Sequence, residues 1–296
     1  MHRLLPLALL LLLAGCSATA APSHGRLRVV AAENVWGSLA AQLGGARVQV
    51  TNLINSPAAD PHDYEPTPAD ARSMAEAQLA IVNGAGYDSW AQKLIDANPV
   101  SGRVEITAAD LVGAKAGDNP HLWYSPLAVA RMVDSIATAY IRLDRKHAAY
   151  YDQRRIRFRN GALAGYESLI ASIRNRFGGT PVGASESVFT PLARSLGLKL
   201  VTPASFLDSV SEGSDPTGTA RSTVDSQITG RQIKAWVYNS QNATPDVRRL
   251  TAEARANGIP VATVSETLTP SGATFQAWQE SQLRSLERAL GQGTGR

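Results

Sequence analysis

The residues able to bind or activate something are few and unevenly placed. The run Asp60-Pro61-His62-Asp63-Tyr64-Glu65-Pro66-Thr67-Pro68 sets one imidazole between prolines and carboxylates. Proline fixes φ and withholds a backbone donor, so this run suppresses helix and holds His62 on a rigid loop. The loop follows an apolar segment ending at Leu53-Ile54, which places it at a strand end. A second histidine has a similar setting, Gly117-Asp118-Asn119-Pro120-His121-Leu122-Trp123. The chain has five histidines, and two on proline-preceded loops look like ligands more than scatter. His24 has no role in this picture, and His147, on a predicted helix beside Arg145 and Lys146, is expected to face solvent.

The elements that must position these loops alternate along the chain. Residues 27–32, 48–54, 79–82 and 104–106 read as short buried strands, with helical patterns over 36–43, 68–77 and 90–97 between them. Thr67-Pro68-Ala69-Asp70 is an N-cap with proline at the first helical position, and Ser125-Pro126 opens a further helix to about Leu143. From Lys146 to Phe177 apolar residues recur at helical spacing without proline, which predicts one long helix ending at Gly178-Gly179. The alternation then restarts, with strands over 182–184, 198–201, 235–238 and 259–264. The fold class expected is α/β: two similar lobes with parallel-type sheets flanked by helices, joined by one long linking helix. The N-terminal lobe would cover residues 26–143, the linking helix 144–178 and the C-terminal lobe 179–296.

Open α/β sheets bind ligands beyond the carboxyl ends of their strands. At those edges the first lobe offers His62 and, through a longer loop, His121. The second lobe offers Ser185-Glu186-Ser187 after residues 182–184 and Ser265-Glu266-Thr267 after residues 261–264. Two imidazoles and two carboxylates suit a divalent first-row cation such as Zn²⁺ or Mn²⁺. The two negative charges would neutralise the ion in a closed, low-dielectric cleft. Asp63 and Glu65 are either carboxylates that orient an imidazole or solvated loop acids.

These motifs resemble those of the metal-binding lipoproteins of ABC importers for zinc and manganese, the cluster A-I substrate-binding family. The run from Asp60 to Pro68 resembles the family's first-ligand motif, and Asn119-Pro120-His121-Leu122-Trp123 its second. Ser185-Glu186-Ser187-Val188-Phe189 is similar to the third, and Asn83-Gly84-Ala85-Gly86 with Trp90 to a first-lobe turn. The resemblance runs from about Leu27 to Leu290. It implies His62, His121 and Glu186 as metal ligands, an ABC permease and ATPase as partners, and no catalysis. At the fourth place the family's usual aspartate is replaced by Glu266, which is expected to ligate with a longer arm. Glu186 in place of a third histidine, and the lack of a His- and Asp-rich insertion, leave zinc and manganese both open.

The N-terminus fits an exported protein. Arg3 precedes an apolar run from Leu4 to Ala14, and Leu13-Ala14-Gly15-Cys16 closes it. A run of this length matches a secretory core of roughly 7–15 residues and is too short to anchor by spanning. Residues 1–15 therefore read as a lipoprotein signal peptide, Cys16 as the lipidated residue and 16–25 as a flexible tether on the outer face of the membrane. Cys16 is the only cysteine, which excludes an intrachain disulfide and a thiolate metal site. An apolar fraction of 44% is ample for buried cores. The net charge of +4 is spread along the chain apart from Arg154-Arg155-Ile156-Arg157-Phe158-Arg159, expected to be a solvated helical face. Nucleic acid is not an expected partner, and a monomer is. The alternatives are a zinc-dependent hydrolase, for which no His-Glu-x-x-His helix is present, and a metal-binding adhesin or scaffold lipoprotein.

Overall fold

The computed structural model describes residues 25–56, 59 and 64–296. The leader over 1–15, Cys16, all of the tether but Gly25, and His62 with Asp60, Pro61 and Asp63 lie outside the described residues. Among the described residues no helix is long and apolar enough to cross a membrane.

Two parallel sheets of four strands each organise the chain. The first contains β1 (Leu27–Glu33), β2 (Val48–Ile54), β3 (Leu79–Val82) and β4 (Val104–Thr107), in the order β2-β1-β3-β4. Between and after them run α1 (Asn34–Gly44), α2 (Pro68–Glu76), α3 (Ser89–Ala97), α4 (Ala108–Val112) and α5 (Pro126–Leu143). All four residues of β3 are buried, the apolar signature of a parallel strand covered on both faces. The second sheet repeats the scheme with β5 (Pro181–Ala184), β6 (Lys199–Leu200), β7 (Trp236–Asn239) and β8 (Val261–Val264), in the order β6-β5-β7-β8.

Helix starts follow side-chain chemistry. Thr67 and Asp70 form a reciprocal capping box at α2, with Pro68 in the first turn. Ser125 accepts from Ala128 N at α5, again ahead of a proline. Pro260 has no N–H to give a ladder, and β8 begins one residue after it rather than at Ile259. Edge strand β6 is only two residues long and pairs with β5 alone, shorter than the expected 198–201.

The stretch joining the lobes is helical as expected but not uniform. α6 (Ala148–Arg157) and α7 (Ala164–Phe177) are separated by a π-helical turn over Phe158–Ala162. Leu163 N donates to Phe158 O, five residues back, at 2.9 Å. Phe158 and Leu163 are both buried. In an α-helix of about 3.6 residues per turn, positions five apart point to different faces, and the wider turn brings both inward. The basic cluster here is paired more than solvated. Arg154 donates to the carbonyls of Gln42 and Leu43, while Arg155 and Arg159 both reach Asp134. His147 is not a free solvent-facing ring either, because its Nδ1 lies 2.8 Å from Asp144.

The second lobe carries α8 (Thr190–Ser195), α9 (Ala204–Ser211), α10 (Gly218–Thr229), α11 (Pro245–Ala256) and α12 (Phe275–Thr294). α12 packs on α7 and β8. One apolar cluster runs from Val29 and Trp36 in the first lobe, through Ile173 and Phe177, to Val264 and Leu286 in the second. Emptying one such position, as Ile173→Ala would, costs about 2–5 kcal/mol. The lobes are therefore joined by core as well as by chain. Polar contacts add to this: Leu268 N donates to Asn34 Oδ1 at 3.2 Å, and Phe275 N to Ser38 Oγ at 3.0 Å.

Candidate metal centre

The carboxyl ends of the two sheets face each other, and three of the four expected ligands lie where they meet. His121 follows α4 through a loop that ends in Asn119-Pro120. Asn119 holds the ring: its Oδ1 accepts from His121 N at 3.1 Å and lies 3.0 Å from His121 Nδ1. Its Nδ2 donates to Ser187 O in the other lobe at 2.8 Å, which identifies Oδ1 as the acceptor atom. An acceptor opposite Nδ1 keeps the proton on that nitrogen and leaves Nε2 as the nitrogen presented to the cleft. Trp123 and Tyr87 meet the ring edge-on, with centroids at 5.4 and 5.8 Å. The imidazole is 2% exposed, so its orientation is set by packing as well as by Asn119.

Glu266 comes from the other lobe, two residues past β8. Its backbone N–H donates to Gln241 Oε1 at 2.6 Å, which pins the loop. Glu266 Oε2 lies 3.7 Å from His121 Nε2 and accepts from Tyr87 OH at 2.9 Å. Burial alone would raise this carboxyl. His121, Tyr87 and Asn239 outweigh burial and hold it below its ordinary value. Tyr87, buried beside Glu266 and Glu33, is pushed well above the usual phenol range.

Glu186 follows β5 in extended backbone and is 1% exposed. Two amides hold it: Asn239 Nδ2 donates to Oε1, and Asn242 Nδ2 donates to Oε2 at 2.6 Å. Asn239 Nδ2 also donates to Glu266 Oε1 at 2.7 Å, so a single fully buried amide spans both acids. Asn239 is the last residue of β7 and its N–H is fixed by Ser185 Oγ at 3.1 Å. Sequence reasoning passed over Asn239 and Asn242. The available signal was position, since the end of β7 lies on the same edge as the ends of β5 and β8.

The amides that hold Glu186 and Glu266 are neutral and bring no positive charge of their own, so that charge is left for a cation to supply. A tetrahedral ion with bonds of about 2.0–2.2 Å separates its ligand atoms by about 3.4 Å. The 3.7 Å between His121 Nε2 and Glu266 Oε2 is close to that span. Among the described residues, His, Cys, Asp and Glu form no group of three set to hold a metal. His121 and Glu266 are brought together, Glu186 is joined to Glu266 only through Asn239, His62 lies outside the described residues, and Glu65 is exposed. Beside the site a cavity of about 900 Å³ opens between the lobes, lined by Asn119, His121, Ser187, Thr202 and Asp208 among others.

Two parallel-sheet lobes on a helical spine, with polar side chains converging from facing strand ends, define a two-lobed solute-binding fold. The chain belongs to the family described as zinc-uptake complex component A, periplasmic, whose model matches residues 29–289. It is 29% identical over 147 residues to the manganese-binding lipoprotein MntA of Halalkalibacterium halodurans, covering 48% of this chain and 49% of that one. It is 27% identical over 187 residues to the iron-binding protein YfeA of Yersinia pestis, covering 60% and 58%. The chain thus spans about half the length of the curated relatives it matches. In fold it is similar to a metal-free periplasmic metal-binding protein from Candidatus Liberibacter asiaticus. There the TM-score is 0.74 at 21% identity, with 88% of this chain and 98% of that one covered.

Proposed function

We propose that this chain captures a divalent transition metal, Zn²⁺ or Mn²⁺, outside the cytoplasm and delivers it to the permease and ATPase of an ABC importer. The observation that carries the reading is the approach of His121 Nε2 to Glu266 Oε2 from opposite lobes, beside a Glu186 held by neutral amides. In this reading His62, His121, Glu186 and Glu266 are the ligands. Cys16 is the lipid anchor and the chain acts as a monomer. Residues 26–143, 144–178 and 179–296 are the first lobe, the linker and the second lobe. Membership of a family of metal-binding transport components supports transport over catalysis. The ion is cargo and no reaction is carried out on it. Relatives named for manganese and iron, in a family named for zinc, leave the donor set to select the ion.

Capture would order the loops and close the lobes slightly, because the shared core limits a wide swing. Release requires the permease to favour a state in which Glu186 and Glu266 no longer reach the ion. The test is metal analysis of protein purified without chelator, followed by Zn²⁺/Mn²⁺ competition. A protein that retains neither ion, with Kd unmoved by His121→Ala, would end the proposal.

A further inference from the structure

Glu33 is the last residue of β1, 1% exposed, beneath the site and outside any role assigned so far. Among the described residues no amide or hydroxyl of another residue donates to either of its oxygens. Apart from its own backbone N–H, its hydrogen-bonding neighbour is another acid, Asp88. Asp88 is already committed: its Oδ2 accepts from Asn83 N and its Oδ1 from Gly84 N, both at 2.7 Å. Those two bonds close the turn from Asn83 to Asp88, in which Gly84, Ala85 and Gly86 all have positive φ. The turn reaches the site twice. Asn83 Nδ2 donates to Pro120 O, the carbonyl just before His121, at 2.8 Å. Tyr87 OH donates to Glu266 across the cleft at 2.9 Å.

Two buried carboxylates in contact cannot both be charged without a cation between them. The titratable groups facing Glu33 among the described residues are Asp88 and Tyr87, and neither supplies positive charge. Burial raises the Asp88 carboxyl too, but the N–H groups of Asn83 and Gly84 favour its ionised form and Glu33 has no such pair of donors, so the shared proton belongs on Glu33. We propose that Glu33 is a positioning residue of the metal centre. As a neutral carboxylic acid it donates to Asp88 and fixes the turn that aims Tyr87 at Glu266 and holds the carbonyl ahead of His121. Burial, with Asp88 beside it, raises the Glu33 carboxyl well above its ordinary value of 4.5, as this arrangement requires. The positioning role rests on the metal-capture reading; the state of the proton does not.

The test uses the full chain, Glu33→Gln, which keeps a donor toward Asp88, and Glu33→Leu, which removes it. Infrared spectroscopy at neutral pH should show the carbonyl stretch of a protonated carboxylic acid in the wild type and lose it in Glu33→Gln. The folded state holds a proton that the unfolded chain releases, so wild-type stability falls as pH rises above the ordinary carboxylate range. Glu33→Gln lacks this loss. Its unfolding midpoint should exceed the wild type at about pH 7 and converge on it near about pH 4.5. Amide exchange at Asn83 and Gly84 should stay slow in Glu33→Gln and quicken in Glu33→Leu. The Kd for Zn²⁺ or Mn²⁺ should rise about tenfold in Glu33→Leu and hardly move in Glu33→Gln. A band that survives Glu33→Gln overturns the proposal, as does Glu33→Leu with wild-type exchange and affinity. If Glu33→Leu does not fold, the band and the pH-dependent midpoint of Glu33→Gln still decide. If the wild type binds no metal, capture fails, and exchange at the turn still judges Glu33.

Discussion

His121 Nε2 and Glu266 Oε2 face each other at 3.7 Å across the gap between the lobes, one carried by the loop after α4 and the other by the end of β8. Neither residue's own lobe supplies the other half of the pair, so an ion bound here senses both lobes at once. His121→Ala removes one donor atom and leaves Glu266 held by Tyr87 and Asn239, so the fold should persist. Affinity for Zn²⁺ or Mn²⁺ should drop at least tenfold, a loss of about 1.4 kcal/mol or more. Titration calorimetry on His121→Ala and Glu266→Ala, with circular dichroism as the fold control, gives the answer. Unchanged affinity in Glu266→Ala would remove that residue from the ligand set.

Asn239 lies between Glu186 and Glu266 and donates to both. In the metal-free protein this neutral amide lies between two buried acids and donates to both; a bound dication would add the positive charge it lacks. Asn239→Asp places a third carboxylate in the same space, where like charges cannot all ionise. The metal-free form should lose more stability than the metal-loaded form, since only the latter has positive charge to offset the new acid. Unfolding midpoints with and without Zn²⁺ should therefore separate further than in the wild type. An equal loss in both forms would mean that Asn239 serves packing alone. Asn239→Ala, by contrast, strips donors from buried acceptors, and each one left unpaired costs about 1–3 kcal/mol.

Much of this architecture was legible from local chemistry. β2 and β3 have the expected limits, because apolar runs bounded by turn residues leave little freedom at their ends. The caps at Thr67 and Ser125 were readable for the same reason, being contacts over three residues. The rule that strand ends collect ligands singled out Glu186 and Glu266 as candidates, and the resemblance of the surrounding motifs gave them their weight. The π-turn at Phe158–Ala162 was not legible, because it answers to a core that α12 completes from over a hundred residues away. Asn239 escaped for a different reason: a neutral amide has no metal-ligand signature, and its importance arises from two acids converging on it in space. Glu33 lies one residue past the expected strand over 27–32, and only burial against Asp88 distinguishes it from a solvated acid.

Thr67 fixes how the chain leaves the His62 run and enters α2. Its Oγ1 accepts from Asp70 N at 3.3 Å, while Asp70 Oδ2 accepts from Thr67 N at 2.7 Å and from Tyr64 OH at 2.9 Å. Thr67→Ala removes an N-cap and should cost about 1 kcal/mol. Chemical denaturation reads the loss, and amide exchange should quicken at residues 67–70 and leave the second lobe unchanged. A stability change below about 0.3 kcal/mol would show that the tertiary contacts of α2 make the cap redundant.

Metal removal should weaken the whole molecule, because the proposed ligands come from both lobes and only the folded chain would present them together. At free metal a hundredfold above Kd, the folded state gains about 2.7 kcal/mol. Titrating Zn²⁺ or Mn²⁺ during thermal unfolding should raise the midpoint continuously with concentration, and a chelator should reverse the rise. The His62→Ala variant makes the measurement specific. With a bound ion drawing on His62, His121, Glu186 and Glu266, this variant should unfold like the wild type without metal and gain much less from it. Should His62→Ala keep the full metal-dependent rise, the ion sits elsewhere and the four-ligand centre is wrong. Should the wild type show no rise while the variants also bind nothing, the cleft between the sheets holds some other cargo.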